Sequence, residues 1–280
     1  MRLNSPNADT AQQLQTILED EMNRRALPWS VEVLASIDST SSELMRQARL
    51  GHTAPKILLS LDQTQGRGRR GNHWSSKPGD SLTFSMGLML KPVNWLGLSP
   101  CIGIDLARTL DPHQRLGLQL KWPNDVWVLK DGENHKLAGI LIETINPSLP
   151  SSETTPQARY CVIGVGINLN TPHLSLASVS MPPIGLWALG STLSCQDIVI
   201  ELAQKLLSSL KRFESEGFAP FKPVFDGLDA LIHQSIHLSD GSTGLCLGTN
   251  NLGELMFLNG QDTRTINSLE VSVRPLATKT

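Results

Sequence analysis

Residues 121–144 read KWPNDVWVLKDGENHKLAGILIET. Apolar residues come in runs of strand length, cut by Pro123-Asn124-Asp125 and by Asp131-Gly132. Runs this short and bounded by turn residues read as strands rather than helices. Residues 118–122 and 126–129 are therefore strand pieces, and Asp131-Gly132 turns the chain into an apolar strand that Lys136 opens. Proline inside the strand reading marks an edge or a bulge, where side chains are re-aimed.

Helical spacing appears on either side of this run. Residues 8–27 place Leu14, Ile17, Leu18 and Met22 on one face, and Pro28 stops the helix. A strand over 31–37 follows. Ser39-Thr40-Ser41-Ser42-Glu43 then opens a helix, with Glu43 suited to a capping box and Gly51 closing it. Residues 57–61 and 81–90 read as strands, and Ser99-Pro100 starts a helix with Pro100 at its first position. Downstream, 147–157 is Ser/Thr/Pro-rich, lacks periodicity and reads as a mobile loop. Residues 160–168, YCVIGVGIN, form a buried strand, and 196–214 a helix with Gly217 past its end. From 228 to 275, short β runs alternate with Asp-Gly, Asn-Asn-Leu-Gly and Asn-Gly turns, as in a small barrel. The fold class is α+β: a body over 31–227, a β-module over 228–280, and a helical extension over 1–30.

Composition excludes several functions. The chain has 280 residues, with 24 Lys and Arg against 26 Asp and Glu, so its net charge is −2. A near-neutral chain is unsuited to bulk electrostatic binding of nucleic acid or anionic membrane. The first residues lack the apolar core of a signal peptide, and no apolar stretch approaches a membrane span. Cys101, Cys161, Cys195 and Cys246 are widely spaced without a CxxC pair, which reads as reduced thiols in the cytoplasm. His233 and His237 lack partners of ligand type, so no structural zinc is expected.

Three segments carry chemistry. Residues 66–71, GRGRRG, put three arginines among three glycines. Glycines let backbone N–H groups curl into an anion nest, and arginine adds a bidentate fork. An RNA-binding RGG tract would be repetitive, and this segment is a single copy. Asn124 and Asp125 are either oxygen ligands for a nucleotide-bound Mg²⁺ or a plain Asx turn. Lys136 is either a solvated strand end or a catalytic cation. Gly139, Gly164 and Gly166 inside apolar strands indicate a flat floor beneath a small molecule, with Asn168 next to it. An apolar floor beside concentrated cations suits two anions brought together, as when a carboxylate attacks the α-phosphate of ATP.

GRGRRGNHW (66–74), KWPNDVW (121–127), KLAGILIE (136–143) and VIGVGINLN (162–170), in this order, closely resemble the biotin–protein ligases. Asp38-Ser39-Thr40-Ser41 resembles the family's Asp-Ser-Thr-Asn element. The resemblance implies a mixed-sheet catalytic domain followed by an SH3-like β-domain. It implies formation of biotinyl-5′-AMP from biotin and MgATP, then transfer of biotin to a lysine of a biotin carboxyl carrier protein of the acetyl-CoA carboxylase type. The biotin positions carry over to Ser39, Thr40, Ser41, Gln63, Arg67, Gly68, Arg69, Lys136, Gly139, Gly164 and Gly166. The nucleotide positions carry over to Arg69, Arg70, Trp74, Asn124, Asp125, Lys136, Asn168 and Arg274, with Asp125 toward Mg²⁺. Arg67, Arg69 and Lys136 take the catalytic roles. Asn72-His73 and Ser41 depart from the common pattern, which has basic residues and Asn there. Bifunctional members carry a winged helix-turn-helix of roughly 60 residues ahead of the ligase body. Only about 30 precede Val31 here, without a basic recognition helix, so a monofunctional enzyme without DNA binding or repressor activity is expected. Partners beyond the carrier extend at most to a second copy in a homodimer. A lipoate or octanoyl ligase is the nearest alternative, disfavoured by the GRGRRG and KWPND elements.

Overall fold

The computed structural model describes residues 7–146, 158–172, 181–267 and 273–275. The Ser/Thr/Pro-rich segment 147–157 lies outside them. Helix α1 (Ala8–Arg24) starts where the Asn7 side chain accepts from the Thr10 amide, and it buries Ala11, Leu14, Leu18 and Met22. Ile17 is not on that face and stays exposed, because the buried stripe runs through 11, 14, 18 and 22. Strand β1 (Ser30–Leu34) ends earlier than expected, leaving Ile37 only an isolated bridge to Gln63.

Helix α2 (Thr40–Arg49) is capped by Ser39, whose side chain accepts from the Ser42 amide. Glu43 is one position too late for a capping box and instead bonds Arg46 and Gln47. The chain continues through β2 (Lys56–Ser60), β3 (Ser81–Leu90) and α3 (Leu98–Leu110), in which Pro100 is the third helical residue rather than the first. The expected broken strand is a hairpin: β4 (Leu118–Lys121) pairs antiparallel with β5 (Asp125–Lys130) around a cis Trp122–Pro123 bond. Strand β6 (Glu133–Ile145) starts before Lys136, so the lysine lies within the strand rather than opening it. Next come β7 (Arg159–Asn168), α4 (Cys195–Glu216) and the short α5 (Lys222–Asp226), which sequence reading missed.

The seven strands form one mixed sheet in the order β1-β2-β3-β7-β6-β5-β4, parallel only between β1 and β2. One face carries α2 over Leu58, Tyr160 and Val162. The other buries Ile57, Phe84, Met86, Ile163 and Val165 in the main core, with α1, α3 and α4. Strands β8 (Ser235–Leu238), β9 (Thr243–Thr249), β10 (Leu255–Asn259), β11 (Asp262–Ile266) and β12 (Val273–Pro275) form a second, antiparallel sheet, consistent with an SH3-like module. Its Ile236, Leu238, Cys246 and Phe257 join the same main core. The Trp122 indole donates to the Gly253 carbonyl at 3.0 Å, fastening the β4–β5 hairpin to that module.

Candidate active site

Cross-strand register builds the floor of the site. Thr83 pairs with Gly166, Gly166 with Gly139, Gly139 with Asp125, and Asp125 with Lys121. This row crosses β3, β7, β6, β5 and β4, with hydroxyl, glycine, glycine, carboxylate and ammonium in sequence. Paired residues share a face of the sheet, here the face on which α2 packs. The row floors a cavity of about 590 Å³, a volume in the range of small-molecule sites.

One end of the cavity is a cluster of buried hydroxyls. Thr40 Oγ1 and Ser85 Oγ are 2.7 Å apart, and Ser41 Oγ is 2.9 Å from Ser85 Oγ. Gln63 closes this end, its side-chain oxygen accepting from both the Thr40 amide and the Thr40 hydroxyl. The β2-end loop is held by reciprocal bonds between Ser76 and the Gln63 backbone. Gly164 pairs with Ser85, and a Cβ added there would crowd Ser41 Oγ at 2.5 Å. Asp38, next in sequence to this cluster, is held down to about 2, first by its hydrogen bonds from Arg46.

The arginine loop folds back on itself. The Gly68 amide donates to the Asn72 carbonyl, Asn72 to Arg69 and Trp74 to Gly66, and Arg70 sits in the left-handed region at φ 58°. This hairpin lays Trp74 onto the glycine floor: a Cβ on Gly166 would fall 2.5 Å from the indole. The three arginines diverge. Arg67 turns sideways, donating to Ser42 Oγ at 3.1 Å and pairing with Glu143 at 2.6 Å. Arg69 donates to Asn124 Oδ1 at 3.2 Å, and burial pushes its pKa down. Arg70 donates to Ser239 Oγ in the β8–β9 turn, also at 3.2 Å.

Lys136 occupies the centre. Its Nζ lies 2.7 Å from Asp125 Oδ1 and 5.6 Å from the centroid of the Trp74 ring. Asn124 is braced by donating to the Ile140 carbonyl. Arg274 reaches the cavity from β12. Among the described residues no group of three or more His, Cys, Asp or Glu side chains could hold a metal ion. The carboxylate of Asp125 is paired with Lys136 through Oδ1.

The cavity lining thus includes Ser39, Thr40, Ser41, Gln63, Arg67, Gly68, Arg69, Arg70, Trp74, Asn124, Asp125, Lys136, Gly139, Gly164, Gly166 and Arg274. Asn168 is not part of it. It is buried at the end of β7, where its amide donates to the Lys136 carbonyl at 3.1 Å and steadies that strand. Sequence reading missed Thr83, Ser85 and Lys121, which also line the cavity. Strand alternation from Gly164 and Gly166, carried across the register, is the signal that finds them.

A profile of the biotin/lipoate A/B protein ligase family matches residues 33–168. The bifunctional ligase/repressor BirA of Escherichia coli (strain K12) is 34% identical over 233 residues, 81% of this chain and 68% of that protein. The biotin–[acetyl-CoA-carboxylase] ligase of Paracoccus denitrificans is 27% identical, over 85% of this chain and 98% of its own. The biotin protein ligase from Aquifex aeolicus, solved with biotin and ATP, superposes with a TM-score of 0.70 at 24% identity, covering 88% and 99% of the two chains, and so shares the fold. The chain belongs to the biotin/lipoate A/B protein ligase family, and within it to the biotin–protein ligases.

Proposed function

We propose that this chain activates biotin with MgATP to biotinyl-5′-AMP and transfers the biotinyl group to one lysine of a biotin carboxyl carrier protein of the acetyl-CoA carboxylase type. The observation that carries the reading is the floor row, which runs from a hydroxyl end over glycine backbone, on which the Trp74 indole lies, to paired charge. A bicyclic ligand with polar edges fits the hydroxyl end beside Gly164, next to the Trp74 indole that lies over Gly166 and Gly139. Its carboxylate then comes to Lys136. In the activation step that carboxylate oxygen bonds to the α-phosphorus, the bond to the β-phosphate breaks, and pyrophosphate leaves. Carboxylate and phosphate repel each other, and Lys136 and Arg69, fixed by Asp125 and Asn124, offset that repulsion without reorganising. In the second step the carrier amine bonds to the acyl carbon and AMP departs. Mg²⁺ enters as part of the ATP substrate, with Asp125 as the nearest carboxylate.

The ligase reading is proposed without operator binding. The described segment ahead of β1 is a helix whose apolar face is committed to the main core, and Arg25 beyond it pairs with Glu201 of α4. No described helix is long and apolar enough to cross a membrane, and the four cysteines are free and buried. Free thiols suit a reducing compartment, and the cytoplasm is the proposed location.

The test is biotin-dependent exchange of label between pyrophosphate and ATP, followed by mass spectrometry of a carrier domain. A biotin-sized mass gain on one lysine is expected. Exchange driven by lipoate or octanoate, and not by biotin, would overturn the proposal.

A further inference from the structure

Lys121 stands at the end of the floor row, one strand beyond Asp125 and two beyond the strand that holds Lys136. Strands are spaced about 4.8 Å apart. The Lys121 backbone therefore lies about 10 Å past the Lys136 strand, on the side away from the hydroxyl end. The residue is 9% exposed, yet it lines the cavity. Among the described residues its ammonium has no ion pair or hydrogen bond; its named contact is the Trp127 ring, 5.9 Å to the centroid. A buried lysine is almost always paired. The other cations here have partners: Lys136 has Asp125, and Arg69 has Asn124.

The surroundings of Lys121 leave positive charge in excess. Burial pushes its pKa down to about 8; Lys136, Arg69 and Arg274 add to the effect, and Asp125 alone opposes it. Four cations thus converge on one carboxylate that is already taken. An anion of more than one charge would complete this corner. The carboxylate of the acyl substrate cannot be that anion, because it stops at Lys136.

Taking the biotin-activating reading as given, we propose that Lys121 is a catalytic residue of the first half-reaction alone, the cation that receives the β- and γ-phosphates of ATP. As the bond between the α-phosphorus and the bridging oxygen breaks, the electron pair passes to that oxygen and charge grows on pyrophosphate. Lys121 stands against that growing charge and needs no proton transfer to do so. Once pyrophosphate has left, Lys121 has no further part in transfer.

The experiment compares Lys121→Met and Lys121→Arg with wild type in the full chain. Three quantities are read: biotin affinity, single-turnover biotinyl-AMP formation from MgATP, and transfer to the carrier from supplied biotinyl-AMP. Losing one charged donor to developing charge slows a step by about 10²–10³-fold. Lys121→Met should show that loss in adenylate formation, a raised KM for ATP, and weaker use of pyrophosphate in the reverse direction. Its biotin affinity and its transfer rate from supplied adenylate should stay near wild type. Lys121→Arg should recover most of the activation rate. Wild-type activation by Lys121→Met would reduce the residue to packing on Trp127. An equal loss in both half-reactions would place it on the adenylate or in the fold, and the proposal would fall. Lys121→Gln is measured alongside; failure of both neutral variants to fold would show a structural role and also end it. A wild-type chain without biotin-dependent activation would instead overturn the functional reading, before any variant is compared.

Discussion

Replacing Lys136 by Met removes the central cation and leaves Asp125, only 14% exposed, as an unneutralised carboxylate in the cavity. Two unit charges about 4 Å apart at an effective dielectric of about 20 interact by about 4 kcal/mol. Part of that attraction is already spent on Asp125 before substrate arrives, so about 3 kcal/mol is lost at the transition state, a slowing on the order of 10²-fold. The stranded carboxylate then adds a repulsion toward the α-phosphate. At about 6 Å and the same dielectric that repulsion is about 3 kcal/mol, falling to about 1–2 kcal/mol with ionic screening. Neutralising it should therefore help: Lys136→Met/Asp125→Asn should form biotinyl-AMP roughly tenfold faster than Lys136→Met alone. Single-turnover formation of labelled adenylate from labelled ATP gives both rates, with biotin affinity as the folding control. A wild-type rate for Lys136→Met would refute the central role of this lysine. A double variant no faster than the single one would refute the charge-partner account of Asp125 and give that carboxylate a task of its own toward the Mg²⁺ of ATP.

Arg69→Gly removes the clamp to Asn124 and loosens the loop, so adenylate should still form but dissociate faster, with lysines of bystander proteins becoming labelled; adenylate lifetime and bystander labelling measured together check this. Glu143→Gln weakens the anchor of Arg67, a half-exposed pair worth at most about 1 kcal/mol, so biotin affinity should drop a few-fold while the melting temperature barely moves. Asp229 is raised to about 6, first by burial and then by Asp226, against favourable bonds from backbone amides. Because its folded pKa lies above the unfolded value, its protonated form favours the fold and that stability is lost as pH rises from about 4 through 6. Asp229→Asn should therefore be more stable than wild type by about 1–3 kcal/mol at pH 8, with the gap closing near pH 4 in urea unfolding.

The strands were legible where one physical signal dominated. Residues 81–90 coincide with β3 because both faces of that strand are buried and its bounds are marked by polar residues. The arginine loop was legible as part of the site lining because its composition has few other uses. The different directions of its arginines were not, since Arg67 is claimed by Glu143, 76 residues away, and Arg70 by a turn of the other sheet. Glu43 failed as a cap because helix α2 begins one residue earlier than a capping box with Glu43 requires. Asn168 looked like a ligand residue because it ends the glycine strand on the same face as Gly166, yet its amide is taken up by the Lys136 carbonyl. Lys121 was hidden for the opposite reason: its side chain gains meaning only through the β4–β5 register, which no local pattern encodes.

The bond from Trp122 to Gly253 and the shared core beneath it bear on how the molecule comes apart. Two sheets that bury their side chains in one another lack separate thermodynamic lives. Heating should melt them in a single endotherm whose calorimetric and van't Hoff enthalpies agree, and the chain cut between the sheets should yield no folded half. Any ligand that tightens the cavity then stabilises the distant β11 edge as much as the glycine floor. A screen for binders can accordingly place its reporter anywhere on the chain.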